Sequence, residues 1–389
     1  MIISERIKDS PTLMFSEAVK RRKQEGGDII SMGIGEPDIA TPKFLTEALV
    51  EAARGGRYNG YAPSNGIDRL RSSIADDLKE RRTLHYQASQ VMVTAGAKQA
   101  IQLILMSVLR PGDEVVYFTP CYVSYLPQIL LAEPNAVPVP VALDPATFEI
   151  DLEALRQAIT SRTRVIVLNA PHNPTGKVFD RRTLEQIADL ALENGIYVIL
   201  DDVYELLNHG GKEMYCMATE AELEKLVFYV SSFSKTHAVP GWRAGYLCAP
   251  KQCVPVISKM QQHMNTSTCS VVQAACLSIF ENGFDFLHAY NVKLKERSEY
   301  ISRELSRILG YQVFVPDGGF FYFVDVSSIS TDSNSFCAAL MAASGVALTP
   351  GIAFGDDWDS HVRLSFGISD QALHEGMARI SAFINEKQN

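Results

Sequence analysis

Between about residue 41 and about residue 282, short apolar runs alternate with helix-like segments, and each run gives way to polar residues. That alternation predicts a doubly wound α/β fold with a mostly parallel sheet, because each buried strand needs a covering helix before the chain returns to the sheet. The run 91–94 leads through Ala95-Gly96-Ala97 into a periodic helix over 98–109, which Pro111-Gly112 stops. Further strands are predicted at 114–118, 165–168, 197–200, 227–230 and 244–247. Such continuous apolar runs suit strands covered on both faces. Beyond Asn282 the pattern changes to a long charged helix over 286–309, strands around 311–315 and 319–326, and a closing helix near 369–386. A chain of 389 residues is long for one core. The expected division is a large α/β domain over 41–285 and a smaller α+β domain built from 1–40 and 286–389.

Composition narrows the function. Hydrophobic residues at 47% and charged residues at 21% exclude a disordered or collagen-like chain. A net charge of -9 with no long basic run argues against a nucleic-acid surface, so an anionic ligand needs a local basic pocket. Seven cysteines without CxxC pairs fit reduced thiols better than a disulfide scaffold, and no metal site is suggested. Residues 1–9 alternate apolar and charged positions without a signal-peptide core, and no apolar run approaches roughly 18 residues. The expectation is a soluble cytoplasmic protein with no membrane partner.

The densest chemistry lies in Ser231-Ser232-Phe233-Ser234-Lys235-Thr236-His237, with Gly241-Trp242-Arg243 shortly after. A lysine among small and hydroxylated residues can lose its proton and attack a carbonyl, while hydroxyls and a guanidinium hold a phosphate dianion. Those are the requirements of a pyridoxal phosphate Schiff base. Other strand ends point to the same crevice. Asp201, closing the run 197–200, is a buried carboxylate that needs a cation or donor, and a protonated pyridine nitrogen is one. A strand-end turn is the alternative for Asp201, and Asp202 suits that alternative better because adjacent residues leave a strand on opposite faces. Asn173, in Pro171-His172-Asn173-Pro174-Thr175-Gly176, and Tyr204 can both donate to a phenolate oxygen, although Asn-Pro followed by Thr-Gly is also a plain turn signal. Gly96, Ala97 and Lys98 open a helix whose free N–H groups make a phosphate seat, completed by Ser232 and Arg243. Lys98 sits where the helix dipole disfavours a cation, a conflict that a nearby anion relieves. Tyr122 can stack on a planar ring or pack in the core. Arg363, inside the apolar run around Val362 and Leu364, needs a partner if buried, either a substrate carboxylate or an internal acid.

Taken in order from Gly35-Glu36-Pro37-Asp38 to Arg363, these motifs resemble the class I aminotransferases of fold type I, over essentially the whole chain and in particular their aspartate/prephenate branch. The resemblance implies pyridoxal 5'-phosphate as cofactor and Lys235 as Schiff-base lysine and proton shuttle. It implies Asp201 at the ring nitrogen, Asn173 and Tyr204 at the ring oxygen, Tyr122 on the ring face, and Gly96, Ala97, Lys98, Ser232 and Arg243 around the phosphate. Arg363 and Asn173 would meet the substrate α-carboxylate, with Ile34 and Gly35 closing over it. Tyr61 matches a tyrosine that reaches the neighbouring subunit's phosphate, which implies a homodimer. Ser10, Thr12 and Lys98 fall where that branch meets an acidic side chain. Tyr122 departs from the tryptophan common in relatives but keeps an aromatic face. A preference for aromatic or neutral donors, or a lyase, decarboxylase or oxidase outcome on the same fold, stands as the alternative.

Overall fold

The computed structural model describes residues 6–388. Residues 1–5, part of the N-terminal run read above for a leader segment, and Asn389 lie outside the described residues.

Seven strands form the main sheet in the spatial order Val91–Thr94, Gly245–Cys248, Val227–Ser232, Tyr197–Asp201, Thr163–Asn169, Glu114–Thr119 and Val137–Ala142. Gly245–Cys248 runs antiparallel to both neighbours, and the other pairings are parallel. Side chains alternate between two apolar layers, as the period of two requires. Val165, Val167 and Ile199 join a core with the helix Ala97–Val108, whereas Ile166, Leu168, Val198 and Leu200 face a second core on the opposite side. The register sets Asn169 opposite Asp201, Asp201 opposite Val230, and Ser232 opposite Gly245. The polar strand ends are therefore level with one another, which brings residues distant in sequence to one sheet edge.

A third core surrounds an antiparallel sheet of Thr349–Pro350, His361–Ser365 and Phe321–Asp325. The helix Phe286–Leu309 covers it with Leu294, Ile301 and Leu305, and the helix Asp370–Gln388 adds Leu373 and Met377. Ile30–Ser31 pairs in parallel with Val346–Ala347, which draws the N-terminal segment onto this core.

Two strand expectations need correction. Residues 311–315 form no strand: Gly310, at φ 76°, ends the preceding helix, and the Tyr311 hydroxyl rather than a backbone ladder ties the segment to the Asp325 carbonyl at 2.5 Å. Val137–Ala142 is a strand that the sequence reading passed over, because prolines at 138 and 140 argue against a central strand. It lies at the sheet edge, paired on one side to Glu114–Thr119, where those missing N–H groups leave no ladder broken. Among the described residues no helix is long and apolar enough to cross a membrane.

Candidate active site

A cavity of about 520 Å³ opens where the main sheet edge meets the third core. Lys235 enters it from the four-residue helix Phe233–Thr236. Ser232 caps that helix by accepting from the Ser234 amide at 3.1 Å, and its hydroxyl also donates to the Ala244 carbonyl at 3.0 Å. The Lys235 ammonium donates to the Gly35 carbonyl at 2.6 Å. Burial lowers its pKa to about 8; the Glu36 carboxylate opposes that shift, and the Arg363 and Arg243 charges add to it.

Asp201 is 5% exposed, and its Oδ2 accepts from the Tyr125 hydroxyl at 2.7 Å. Burial raises its pKa to about 6 against the hydrogen bonds from Tyr125 and the Val203 backbone. Its Oδ1 is buried without a partner. Asp202 turns away from the cavity to Arg82, as neighbours leaving a strand must. Asn169 ties the strand ends together: its Nδ2 donates to the Asp201 carbonyl at 2.6 Å, and its Oδ1 accepts from the Asn173 amide at 2.7 Å. The Asn173 Oδ1 in turn accepts from Arg363 Nη1 at 3.0 Å.

Arg363 lies over the rings of Phe321 and Phe354, 4.4 and 4.8 Å from their centroids. Its Nη2 donates to the Gly33 carbonyl at 2.7 Å, while Nε is buried without a partner. Burial lowers its pKa to about 10, against the nearby Tyr204 and Tyr122 hydroxyls, and among the described residues no acid is paired with it. Tyr204 is buried edge-on against Phe320 and Phe321, and that burial pushes its hydroxyl well above the usual tyrosine range.

At the start of the helix Ala97–Val108, Gly96 adopts φ 80°, and a Cβ there would fall 2.6 Å from Arg243 Nη2. Glycine therefore lets the guanidinium close on the helix N-terminus. Arg243 bonds the Ala95 and Pro240 carbonyls, each at 3.0 Å. Ala97, Lys98, Tyr122, Ser232 and Arg243 all line the cavity, as do Ile34 and Gly35. Lys98 is exposed, with Nζ 5.8 Å from the centre of the Tyr122 ring.

Three expected residues stand apart from the lining. Gly96 sits directly behind it. Ser10 approaches the Thr12 hydroxyl at 3.2 Å, but Thr12, Leu13 and Ser16 rather than Ser10 line the cavity. The cause is local: Ser10 precedes the helix Pro11–Gln24, in which Pro11 stands at the first turn and Thr12 and Ser16 lie one turn apart on one face. Tyr61 is 92% exposed and away from the cavity.

Sequence reasoning missed Tyr125, Asn169, Ser234, Phe321 and Ser16. Tyr125 carried a usable signal, since it opens the helix Tyr125–Ala132 three residues beyond Tyr122, and the rings meet edge-on at 5.6 Å. Phe321 carried none, because it reads as ordinary strand core.

A family model described as aminotransferase class I and II matches residues 27–380. The chain belongs to that family. Its cofactor is pyridoxal phosphate and its fold is fold type I. A probable aspartate/prephenate aminotransferase of Aquifex aeolicus is 34% identical over 386 residues, covering 98% of this chain and 97% of the relative. The solved aspartate aminotransferase of Thermus thermophilus with maleate superimposes with a TM-score of 0.92 at 31% identity, covering 98% of each chain. An aromatic aminotransferase of Pyrococcus horikoshii gives 0.89 at 31% identity, covering 95% of this chain and 99% of that one. The residues of this aminotransferase fit its cofactor. The buried Asp201 Oδ1 lacks only the N–H donor that a pyridine ring would offer, and the Gly96 turn leaves backbone and guanidinium open for a phosphate.

Proposed function

We propose that this aminotransferase moves an amino group between an acidic L-amino acid, aspartate- or glutamate-like, and a 2-oxo acid in a ping-pong sequence. The observation that carries the reading is Arg363, a buried guanidinium with one nitrogen unpartnered, lining the same cavity as the depressed-pKa amine of Lys235. Two cations of different kind suit one substrate: the planar fork holds the α-carboxylate, and the amine works at the adjacent Cα.

When bound, pyridoxal phosphate supplies an electron sink that draws charge away from the substrate Cα. Asp201, ionised, holds the pyridine N–H and keeps the ring cationic, while Tyr125 fixes the carboxylate rotamer. Asn173 and Tyr204 donate at the ring oxygen, and Asn173 also steadies Arg363. Lys235 would carry the proton from the substrate Cα to the cofactor's aldehyde-derived carbon, two atoms away across the amino nitrogen, and Ile34 and Gly35 would exclude water above the reacting atoms. Ser232, Gly96, Ala97, Lys98 and Arg243 surround the phosphate, and Tyr122 covers the ring.

Lys98 and Thr12 meet the distal carboxylate, and Ser10, outside the lining, reaches it only through its 3.2 Å contact with the Thr12 hydroxyl. The aspartate-named relatives and the maleate complex of the Thermus enzyme support this choice. A second reading, a neutral or aromatic donor, draws on Leu13, Ile34 and Ile101 along the same lining and on the aromatic aminotransferase neighbour.

The same reading makes the enzyme a cytoplasmic homodimer of amino-acid biosynthesis, with residues 41–285 as the cofactor domain and 1–40 plus 286–389 as the smaller one. The exposed Tyr61, on a loop held by Ser270 through the Tyr58 and Gly60 carbonyls, is available to a partner's phosphate. Two apolar cores support the domain division, with Phe323, Phe354 and Trp358 crossing to the first and Val203, Tyr204 and Leu207 to the second. The test is a half-reaction screen following the bound cofactor's absorbance across amino acids. Rapid conversion by aspartate or glutamate is expected, and a response confined to neutral or aromatic donors would overturn the acidic assignment.

A further inference from the structure

The segment from Gly33 to Asp38 touches both working cations through its backbone. The Gly33 carbonyl accepts from Arg363 at 2.7 Å and the Gly35 carbonyl from Lys235 at 2.6 Å. Its two ends are pinned differently. Upstream, Met32 donates to Ala347 at 2.9 Å and accepts from the Ser365 amide at 2.5 Å, and the Thr349 hydroxyl donates to the Gly33 carbonyl at 2.8 Å. Downstream, Asp38 accepts from Arg297 with both oxygens, at 2.9 and 2.8 Å, and from the Tyr290 hydroxyl at 3.2 Å.

Arg297 is a rigid anchor. It projects from the middle of the helix Phe286–Leu309, is 4% exposed, and also donates to Asp370 at 2.7 Å and to the Phe366 carbonyl at 3.2 Å. Two-pronged pairing fixes the direction as well as the position of the Asp38 carboxylate. Between Asp38 and Gly35 stand Glu36 and Pro37. Proline fixes its own φ and restricts the residue before it, so an anchor at Asp38 is transmitted to Gly35 with few free torsions.

We propose that Asp38 and Arg297 are positioning residues for Lys235, acting through the Gly35 carbonyl, while Thr349 serves Arg363 through Gly33. The assignment rests on the proposed role of Lys235. A loosened Gly35 carbonyl leaves the amine without its aiming contact, but Gly33 and therefore Arg363 stay in place. Turnover should suffer without loss of substrate binding.

Asp370 supplies the control, since it bonds the same arginine but belongs to another segment. In the holoenzyme, Asp38→Ala should lower kcat about tenfold, the worth of one charge-assisted hydrogen bond, with KM for the amino acid within about twofold. In cofactor-free protein, labelling of Lys235 by an amine-directed reagent near pH 7 should rise about tenfold, because the carbonyl no longer favours the charged amine. Asp370→Ala should leave all three quantities within about twofold. If Asp38→Ala does not fold, Asp38→Asn, which keeps one acceptor, should shift kcat and labelling in the same directions by less. Equal effects of the Asp38 and Asp370 substitutions, or a rise in KM with kcat unchanged, overturn the proposal. The labelling comparison is independent of what Lys235 does in turnover, so a failed role for Lys235 is read separately from a failed anchor.

Discussion

The two ends of the cavity are built in opposite ways. At the cofactor end, Asp201, Asn169, Asn173, Ser232 and Tyr204 are all buried and bonded or packed into the sheet edge or the third core. At the far end, Thr12, Leu13 and Ser16 come from a helix that buries only Val19 among its residues, and Lys98 is exposed. Leu13 is 61% exposed although it lines the cavity. On the proposed roles, chemistry that needs fixed geometry is set in the core, whereas choice of side chain falls to a surface helix that buries only Val19. Changes at the first end should therefore alter the reaction itself, and changes at the second should alter which donor is preferred.

The contrast can be broken or sharpened in order of effect. Lys235→Ala removes the proposed nucleophile and base, and turnover should fall about 10⁴-fold or more while cofactor still binds, read by steady-state assay and equilibrium dialysis. Asp201→Asn keeps the shape but removes the charge proposed to face the ring, and should lower kcat by about 10²- to 10³-fold. Arg363→Lys keeps a charge but loses the planar fork, so KM for amino and oxo acids should rise about 10- to 100-fold with the cofactor absorbance unchanged. Lys98→Ala is the first step at the exposed end. A solvent-screened ion pair is worth little, so KM for aspartate should rise only about fivefold, and KM for alanine should not change. Should Lys98→Ala depress every donor equally, the division between the two ends fails.

The smallest expected effect concerns pH. In the proposed role the neutral amine of Lys235 would capture the cofactor aldehyde, and burial lowers its pKa to about 8. Capture by cofactor-free protein should climb with pH up to about 8 and then flatten, rising less than about twofold from pH 8 to 9; an ordinary lysine would gain about tenfold over that unit. Stopped-flow absorbance distinguishes the two.

Much of this arrangement was legible in the sequence, for physical reasons that differ along the chain. Buried parallel strands announce themselves as apolar runs, and polar residues at their ends mark the sheet edge, so Asp201, Asn173 and Lys235 could be named from one sequence. Val137–Ala142 was hidden because proline is compatible only with an edge strand, and edges are not visible without partners. Residues 311–315 have the composition of a strand but no neighbour to pair with. Arg297 acts through a contact spanning 259 positions, to Asp38, which no local pattern reports; Tyr125 reaches Asp201 across 76 positions, and only its place three residues beyond Tyr122 hinted at it. Ser16 could have been found, because Pro11 at a first helical position predicts a helix, and a helix brings Ser16 beside Thr12.

The most direct test of the account locates the covalent link. Holoenzyme reduced with borohydride and digested should carry the cofactor on the peptide containing Lys235, and on that residue alone when the peptide is sequenced by mass spectrometry. Attachment at Lys98, Lys177 or any other lysine, or no attachment at all, would contradict it.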